Sequence, residues 1–271
     1  MPIPVPYRVK KIPLVTVIVT THKRPLYLMR TLISLVSQLP RDELQIIVVS
    51  DLNNPETMGV CHSKLSPEDI FVRRSPCNPG ESRNTGLLLA EGRYVMFLDD
   101  DDAWHPEFLK AMRQDPAIQR GELVYFNCSR VIERRLPEGP QVIREDALNV
   151  AGQVNHQIFV RNQVHMSSIA FPRELLQGLS FDPRLRTFED WDFILSVFER
   201  KMPMHVPILS SRVFEASEET SDRLSTGGVD LGTVIDYLYI YRRHPVVDEG
   251  LKHHRAAMLA TNVLHVDPQF L

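Results

Sequence analysis

Apolar residues come in short, dense runs over the first hundred positions, and the runs alternate with stretches of helical period. Leu14-Val15-Thr16-Val17-Ile18-Val19 is β-branched and almost wholly apolar, as a strand buried on both faces should be. Pro25 suits a first helical turn, and Leu28, Leu32, Leu35 and Val36 then recur at helical spacing. Leu44 to Val49 reads as a second buried strand and Ile70-Phe71-Val72 as a third. Glu81 to Glu91 reads as a helix stopped by Gly92, and Tyr94 to Leu98 as a fourth strand. This alternation predicts an α/β fold with a parallel sheet between helices, whose ligands gather at the carboxyl ends of the strands. Three polar turns fall at those ends: Thr20-Thr21-His22, Ser50-Asp51-Leu52-Asn53, and Asp99 to Asp102.

The second half is less regular. Leu123 to Cys128 and Gln157 to Val160 read as strands, on either side of a polar stretch, Glu133 to Asp146, with two prolines and no clear period. His165 to Phe171 reads as a further strand and Pro172 to Gln177 as a short helix. Asp190 to Lys201 reads as an amphipathic helix with Trp191, Ile194, Leu195, Val197 and Phe198 on its apolar face. Two more helical patterns follow from Val229, split near Pro245. The expected division is a main domain over 1–228 and a C-terminal helical extension over 229–271, able to join the same compact unit.

The junction at Asp99-Asp100-Asp101-Asp102 carries the first chemistry. Adjacent carboxylates repel, and near neutral pH that is costly unless a cation or hydrogen-bond donors offset it. Mg²⁺ or Mn²⁺, bound by one or two carboxylates plus substrate phosphates, would do so. The competing reading is a solvated acidic turn capping a helix around His105 to Met112. A net charge of -3 over 271 residues gives no basic footprint, so a nucleic-acid polymer is not an expected partner. The basic pairs Lys10-Lys11, Arg73-Arg74 and Arg242-Arg243 read as solvated faces. Three cysteines without metal-ligand spacing fit a reducing compartment. Lys10-Lys11 and Ile12 to Thr21 faintly suggest a signal peptide, but no small-residue cleavage site follows. No apolar stretch approaches the roughly 20 residues of a membrane span, so a soluble, cytoplasmic protein is expected.

Five segments, in order, resemble the family 2 glycosyltransferases. They are Val17-Ile18-Val19-Thr20-Thr21-His22-Lys23-Arg24-Pro25; Ile47-Val48-Val49-Ser50-Asp51; Asn78-Pro79-Gly80-Glu81-Ser82-Arg83-Asn84-Thr85-Gly86; Phe97-Leu98-Asp99-Asp100-Asp101-Asp102; and Phe188-Glu189-Asp190-Trp191-Asp192. The resemblance spans roughly residues 14 to 215. It implies the GT-A fold: a Rossmann-like, mostly parallel central sheet with helices on both faces.

It also implies an inverting transfer of a sugar from a nucleoside-diphosphate sugar to a glycan or lipid-linked saccharide. Thr20, His22, Arg24, Asp51, Arg83, Asp99 and Asp100 would face the nucleotide. Asp101 would hold Mn²⁺ or Mg²⁺, with Asp100 and Asp102 as rivals should the register slip by one. Asp190 would be the catalytic base, and Glu189, Trp191 and Trp104 would lie on the acceptor side. A carboxylate at Asp51 suits an imide N–H, which favours UDP, TDP or GDP sugars over CMP sugars, with UDP the favoured donor nucleotide of the three; an Asx turn through Asn53-Asn54-Pro55 is the competing reading.

One departure stands out. Where several such enzymes carry a late histidine ligand, this chain reads Ser211-Arg212-Val213-Phe214-Glu215, leaving Glu215 as a substitute and His244 as an exposed tail residue. A nucleotidyltransferase would need glycines after the first strand, and none is present. A non-catalytic binding module would not need both Asp101 and Asp190. Docking at the inner face of a membrane and homodimerisation both stay open for the extension.

Overall fold

A computed structural model describes residues 11–74, 77–136, 139–185, 187–217, 231–261 and 264–271. Val229 and Lys10 lie outside the described residues. The chain opens with β1 (Val15–Thr21), α1 (Pro25–Val36), β2 (Leu44–Ser50), α2 (Pro55–Lys64), β3 (Ile70–Arg73), α3 (Pro79–Leu89) and β4 (Tyr94–Asp99). Then come β5 (Ala103–Trp104), α4 (Phe108–Gln114), α5 (Pro116–Gln119), β6 (Val124–Leu136), β7 (Gly139–Leu148) and β8 (Ile169–Pro172). The last elements are α6 (Glu189–Phe198), β9 (Met204–Ala216), α7 (Leu231–Arg243) and α8 (Glu249–Ala260).

Strands run in the order β3-β2-β1-β4-β8-β6-β9-β5, with β7 paired to β6 off that path. β1 is parallel to β2 and β4, and β2 to β3, so the first half is the expected parallel sheet. β8 joins β4 and β6 antiparallel, which makes the second half a mixed sheet. On β1, β2 and β4 alternate residues serve opposite faces. Ile18, Ile47, Val49, Val95 and Phe97 pack into one core cluster with α6 and α7. Val17, Val19, Ile46, Val48, Met96 and Leu98 pack into another with Leu28, Leu32 and Leu35 of α1 and Phe108 and Met112 of α4. Burial on both faces is why these strands read as continuous apolar runs.

Several expectations change. The polar stretch Glu133 to Asp146 is largely strand, the end of β6 and most of β7, paired antiparallel. Gln157 to Val160 is no strand: His156–Phe159 is a turn of 3₁₀-helix, capped by the Asn155 side chain on the Gln157 N–H at 2.9 Å. β9 and α2 were not foreseen; α2 starts where Asn54 accepts from the Thr57 N–H, with Pro55 in the first turn.

Gly92 does not end α3, whose last residue is Leu89. Its role is close approach: a Cβ there would lie 2.5 Å from the Thr16 backbone nitrogen, and its N–H donates to Thr16 Oγ1 at 2.8 Å. Gly92→Ala is expected to destabilise the fold by about 1–3 kcal/mol, as overpacking against a backbone does. Urea unfolding checks this through a lower midpoint with an unchanged slope.

Helices α7 and α8 pack on the main core. Tyr237 and Tyr241 of α7 meet Trp191 of α6, with ring centroids 5.5 and 6.2 Å away. Arg255 of α8 is fully buried and donates to the carbonyls of Phe159 and His244 at 2.9 and 2.7 Å. Among the described residues no helix is long and apolar enough to cross a membrane.

Candidate active site

A cavity of about 1020 Å³ opens at the carboxyl ends of β1, β2 and β4. Its wall includes Thr20, Thr21, His22, Arg24, Asp51, Arg83, Asp99, Asp100, Asp101 and Glu189. Every nucleotide-side and metal residue anticipated from sequence therefore lies around one space. Parallel strands in register explain the convergence: Thr20 pairs with Asp99, and Thr21 with Ser50, one residue before Asp51.

Asp51 Oδ2 is hydrogen-bonded to His22 Nδ1 at 2.7 Å. Its other oxygen, Oδ1, is shielded from solvent and has no partner among the described residues. A buried carboxylate oxygen left unpaired is costly, so this acceptor is poised for a donor that the protein does not supply.

The four aspartates divide by alternation. Asp100 and Asp102 are buried. Asp100 Oδ2 accepts from Thr21 Oγ1 at 2.7 Å and from the His22 N–H at 3.2 Å, bracing the β1 turn. Burial pushes Asp100 up to about 6 against those bonds and the nearby Arg24. Asp102 Oδ1 accepts from the Phe214 N–H at 3.0 Å, and burial with the charge of Asp99 raises its pKa as well. Asp99 and Asp101 face the cavity. Asp101 Oδ2 takes Arg24 at 3.1 Å and Arg135 at 3.0 Å, which leaves Oδ1 without a partner among the described residues. Repulsion within the cluster is thus met by inward hydrogen bonds for two carboxylates and by guanidinium groups for the others.

Arg83, on α3, bridges the acidic turn to α6. It donates to Asp99 Oδ1 at 3.1 Å and to Glu189 Oε1 at 2.6 Å. Burial works against its charge, but Asp99, Glu189 and Asp190 outweigh that and raise its pKa. Helix α6 begins at Phe188, in the left-handed conformation (φ 60°) and without a side-chain cap. Such a backbone in a bulky residue is a strained entry held by its surroundings. Glu189 is on the cavity wall; Asp190, the next residue, is half-buried and not part of that wall. Asp190 Oδ1 accepts from the Trp191 N–H at 2.7 Å, and Oδ2 makes no hydrogen bond. Burial, aided by the charge of Glu189, pushes Asp190 up to about 6 despite Arg83.

Two acceptor-side expectations fail. Trp191 is fully buried and donates Nε1–H to the Ile158 carbonyl at 2.8 Å, and Trp104 is buried against Phe108. Neither indole offers a face to a sugar, because the apolar face of α6 and the packing of α4 need both rings for the core. His244 is not an exposed tail residue either. It is buried, its Nε2 3.0 Å from Asp192 Oδ1 and its Nδ1 2.8 Å from Glu199 Oε1, tying α7 to α6. Glu215 does line the cavity, though Arg130 holds it through two hydrogen bonds of 3.0 and 2.7 Å.

Sequence reasoning missed Arg135, Tyr27 and Phe214, which also line the cavity. Arg135 lies over the Tyr27 ring at 4.9 Å, and Arg30 over Phe214 at 3.5 Å. The available signal was the period of two through Val131, Glu133 and Arg135, hidden by the charge of the segment.

The sequence pattern of "Glycosyl transferase family 2" matches residues 16–156, just over half of the chain and every residue of the cavity wall except Glu189, Phe214, Glu215 and Ala216. The chain belongs to that family. A similar protein is the poly(ribitol-phosphate) beta-N-acetylglucosaminyltransferase TarS of Staphylococcus aureus, 33% identical over 187 residues. That match takes in 68% of this chain but 32% of TarS, so the chain matches about a third of that relative's length. The structure of TarS 1-349 in complex with UDP-GlcNAc superimposes with a TM-score of 0.60 at 18% identity, covering 90% of this chain and 71% of that one. The mannosyltransferase PcManGT from Pyrobaculum calidifontis, in complex with GDP-Man and Mn²⁺, gives 0.54 at 17% identity over 93% and 75%. These likenesses establish the GT-A fold for this family 2 chain.

Proposed function

We propose that this family 2 glycosyltransferase moves a sugar from a nucleoside-diphosphate sugar, UDP before TDP or GDP, to a hydroxyl of a glycan or lipid-linked saccharide. The observation that carries the reading is the orphaned acceptor Asp51 Oδ1 in the wall of a cavity that also holds Asp99 and Asp101. An imide N–H of uracil fits that oxygen, whereas cytosine presents an acceptor there. TarS with UDP-GlcNAc and PcManGT with GDP-Man lend support, since both nucleotides carry such an N–H.

The residues also suit a hard divalent cation, for which Asp101 Oδ1 is an unengaged oxygen facing the cavity. No group of three ligating side chains occurs among the described residues, so Asp101 would share the ion with diphosphate and water. Bound there, Mn²⁺ or Mg²⁺ supplies Lewis-acid neutralisation of the departing diphosphate. Arg24 and Arg135, already at Asp101, add positive charge beside the same diphosphate, and Arg83 fixes the α6 entry by holding Glu189.

Asp190 takes the proton of the acceptor hydroxyl, which attacks the anomeric carbon opposite the nucleotide. Glu189 is engaged by Arg83, whereas among the described residues Asp190 has no direct ion-pair partner and Oδ2 no hydrogen bond. A base pushed up to about 6 is ionised at neutral pH yet basic enough to help. Turnover at saturating donor is therefore expected to fall as pH drops through about 6, close to tenfold per unit below it. UDP release measured from pH 4.5 to 8 checks this; a flat profile down to pH 5 rules Asp190 out as the base.

A further inference from the structure

A second, smaller cavity of about 320 Å³ lies in the segment that links β7 to β8, lined by Gln153, Asn155, Arg161, Asn162 and Gln163. Four of its five side chains are amides, each bringing both donor and acceptor atoms, which is the complement of a ring of hydroxyls. Three are committed to the backbone: Asn155 Oδ1 caps the 3₁₀ turn at Gln157, Asn162 Oδ1 accepts from the Val164 N–H at 3.2 Å, and Gln153 Nε2 donates to the Asn149 carbonyl at 3.4 Å. They hold the segment rigid. The functional atoms left over are Gln163 Oε1, shielded from solvent with no partner, and the Arg161 guanidinium, with no hydrogen bond among the described residues. A shielded acceptor without a partner, in a cavity whose lining also includes an exposed guanidinium, suits a polar ligand.

The same segment is tied to the helix that carries Glu189 and Asp190. The Tyr237 ring of α7 rests 4.9 Å from that of Phe188, the residue before Glu189. The segment is pinned to both helices: the Ile158 carbonyl takes Trp191 Nε1–H, and the Val160 carbonyl takes the Tyr241 hydroxyl at 2.7 Å.

We infer that this amide-lined cavity is an acceptor subsite, binding a unit of a polyhydroxylated chain whose next hydroxyl extends past Phe188 to Asp190. The inference rests on the transferase reading. Hydroxyls of a neutral saccharide and of a polyol phosphate share this chemistry, and Arg161 would meet a phosphate of the latter.

Saturation-transfer NMR on the full chain with chitotetraose, cellotetraose and a glycerol-phosphate trimer tests it, with UDP titrated into the same samples. Binding of either tetrasaccharide, weakened about tenfold by Gln163→Ala with UDP affinity unchanged, supports the subsite for neutral glycans. Binding of the trimer alone, lost in Arg161→Ala and restored in Arg161→Lys, supports it for a polyol phosphate. Binding of none of the three by protein that still binds UDP, or binding untouched by either alanine, overturns the subsite and leaves the donor reading standing. Loss of UDP binding by the unaltered chain would instead sink the donor reading.

Discussion

Asp190→Asn is expected to lower turnover by about 10²- to 10⁴-fold while UDP binds as before, the span that a positioned base contributes. The amide is the same size and its oxygen can still accept the Trp191 N–H, so the start of α6 should keep its shape. Stability should move the other way. A carboxyl whose pKa is raised on folding, here from 3.8 to about 6, costs stability as pH rises through that window. The cost is absent below the unfolded value and complete above about 6. Asparagine removes it, together with the repulsion from Glu189 and Asp99, so the variant should melt at the same or a higher temperature at pH 7.5. Inactive, nucleotide-binding and no less stable is a combination that a damaged fold would not give. Turnover within threefold of the parent would remove Asp190 from the mechanism.

Asp101→Asn should abolish the metal-dependent part of donor binding. The increment that Mn²⁺ adds to UDP affinity is expected to be at least about tenfold, or about 1.4 kcal/mol, and to vanish in the variant. The geometry adds a second expectation. Arg24 and Arg135 both spend a hydrogen bond on Asp101 Oδ2, at 3.1 and 3.0 Å. An amide competes poorly for two guanidinium groups, which then become available to the diphosphate. Binding of UDP in EDTA should therefore hold or tighten, even as the response to Mn²⁺ is lost. Titration calorimetry with and without metal separates the two effects. A variant that still gains tenfold from Mn²⁺ would move the metal site to another group.

What could be read from the sequence follows from how far each feature depends on tertiary partners. β1, β2 and β4 are buried on both faces, so their composition alone marks them, and parallel register then brings Thr20, Asp51 and Asp99 to one edge. The alternation that turns Asp100 and Asp102 inward was not legible, because four identical residues carry no mark of direction. Arg135 was missed for a related reason. β6 and β7 stand partly outside the core, so charge rather than apolar alternation dominates them, and a strand of that kind looks like a loop. Trp104 and Trp191 show the limit of residue type as a guide: an aromatic ring beside a motif is decided by packing, and here the core takes both. His244 was misjudged because its partners, Asp192 and Glu199, are about fifty residues away in the chain and meet it only when α7 folds onto α6.

On the proposed function, the large cavity binds the nucleotide of a sugar donor through Asp51 and the acidic turn. Calorimetric titration of UDP and CDP into the protein in the presence of Mn²⁺ tests it most directly. UDP is expected to bind, CDP to bind at least about tenfold more weakly for want of an imide N–H, and the difference to disappear in Asp51→Ala. Equal binding of the two nucleotides, or binding of neither, would contradict it.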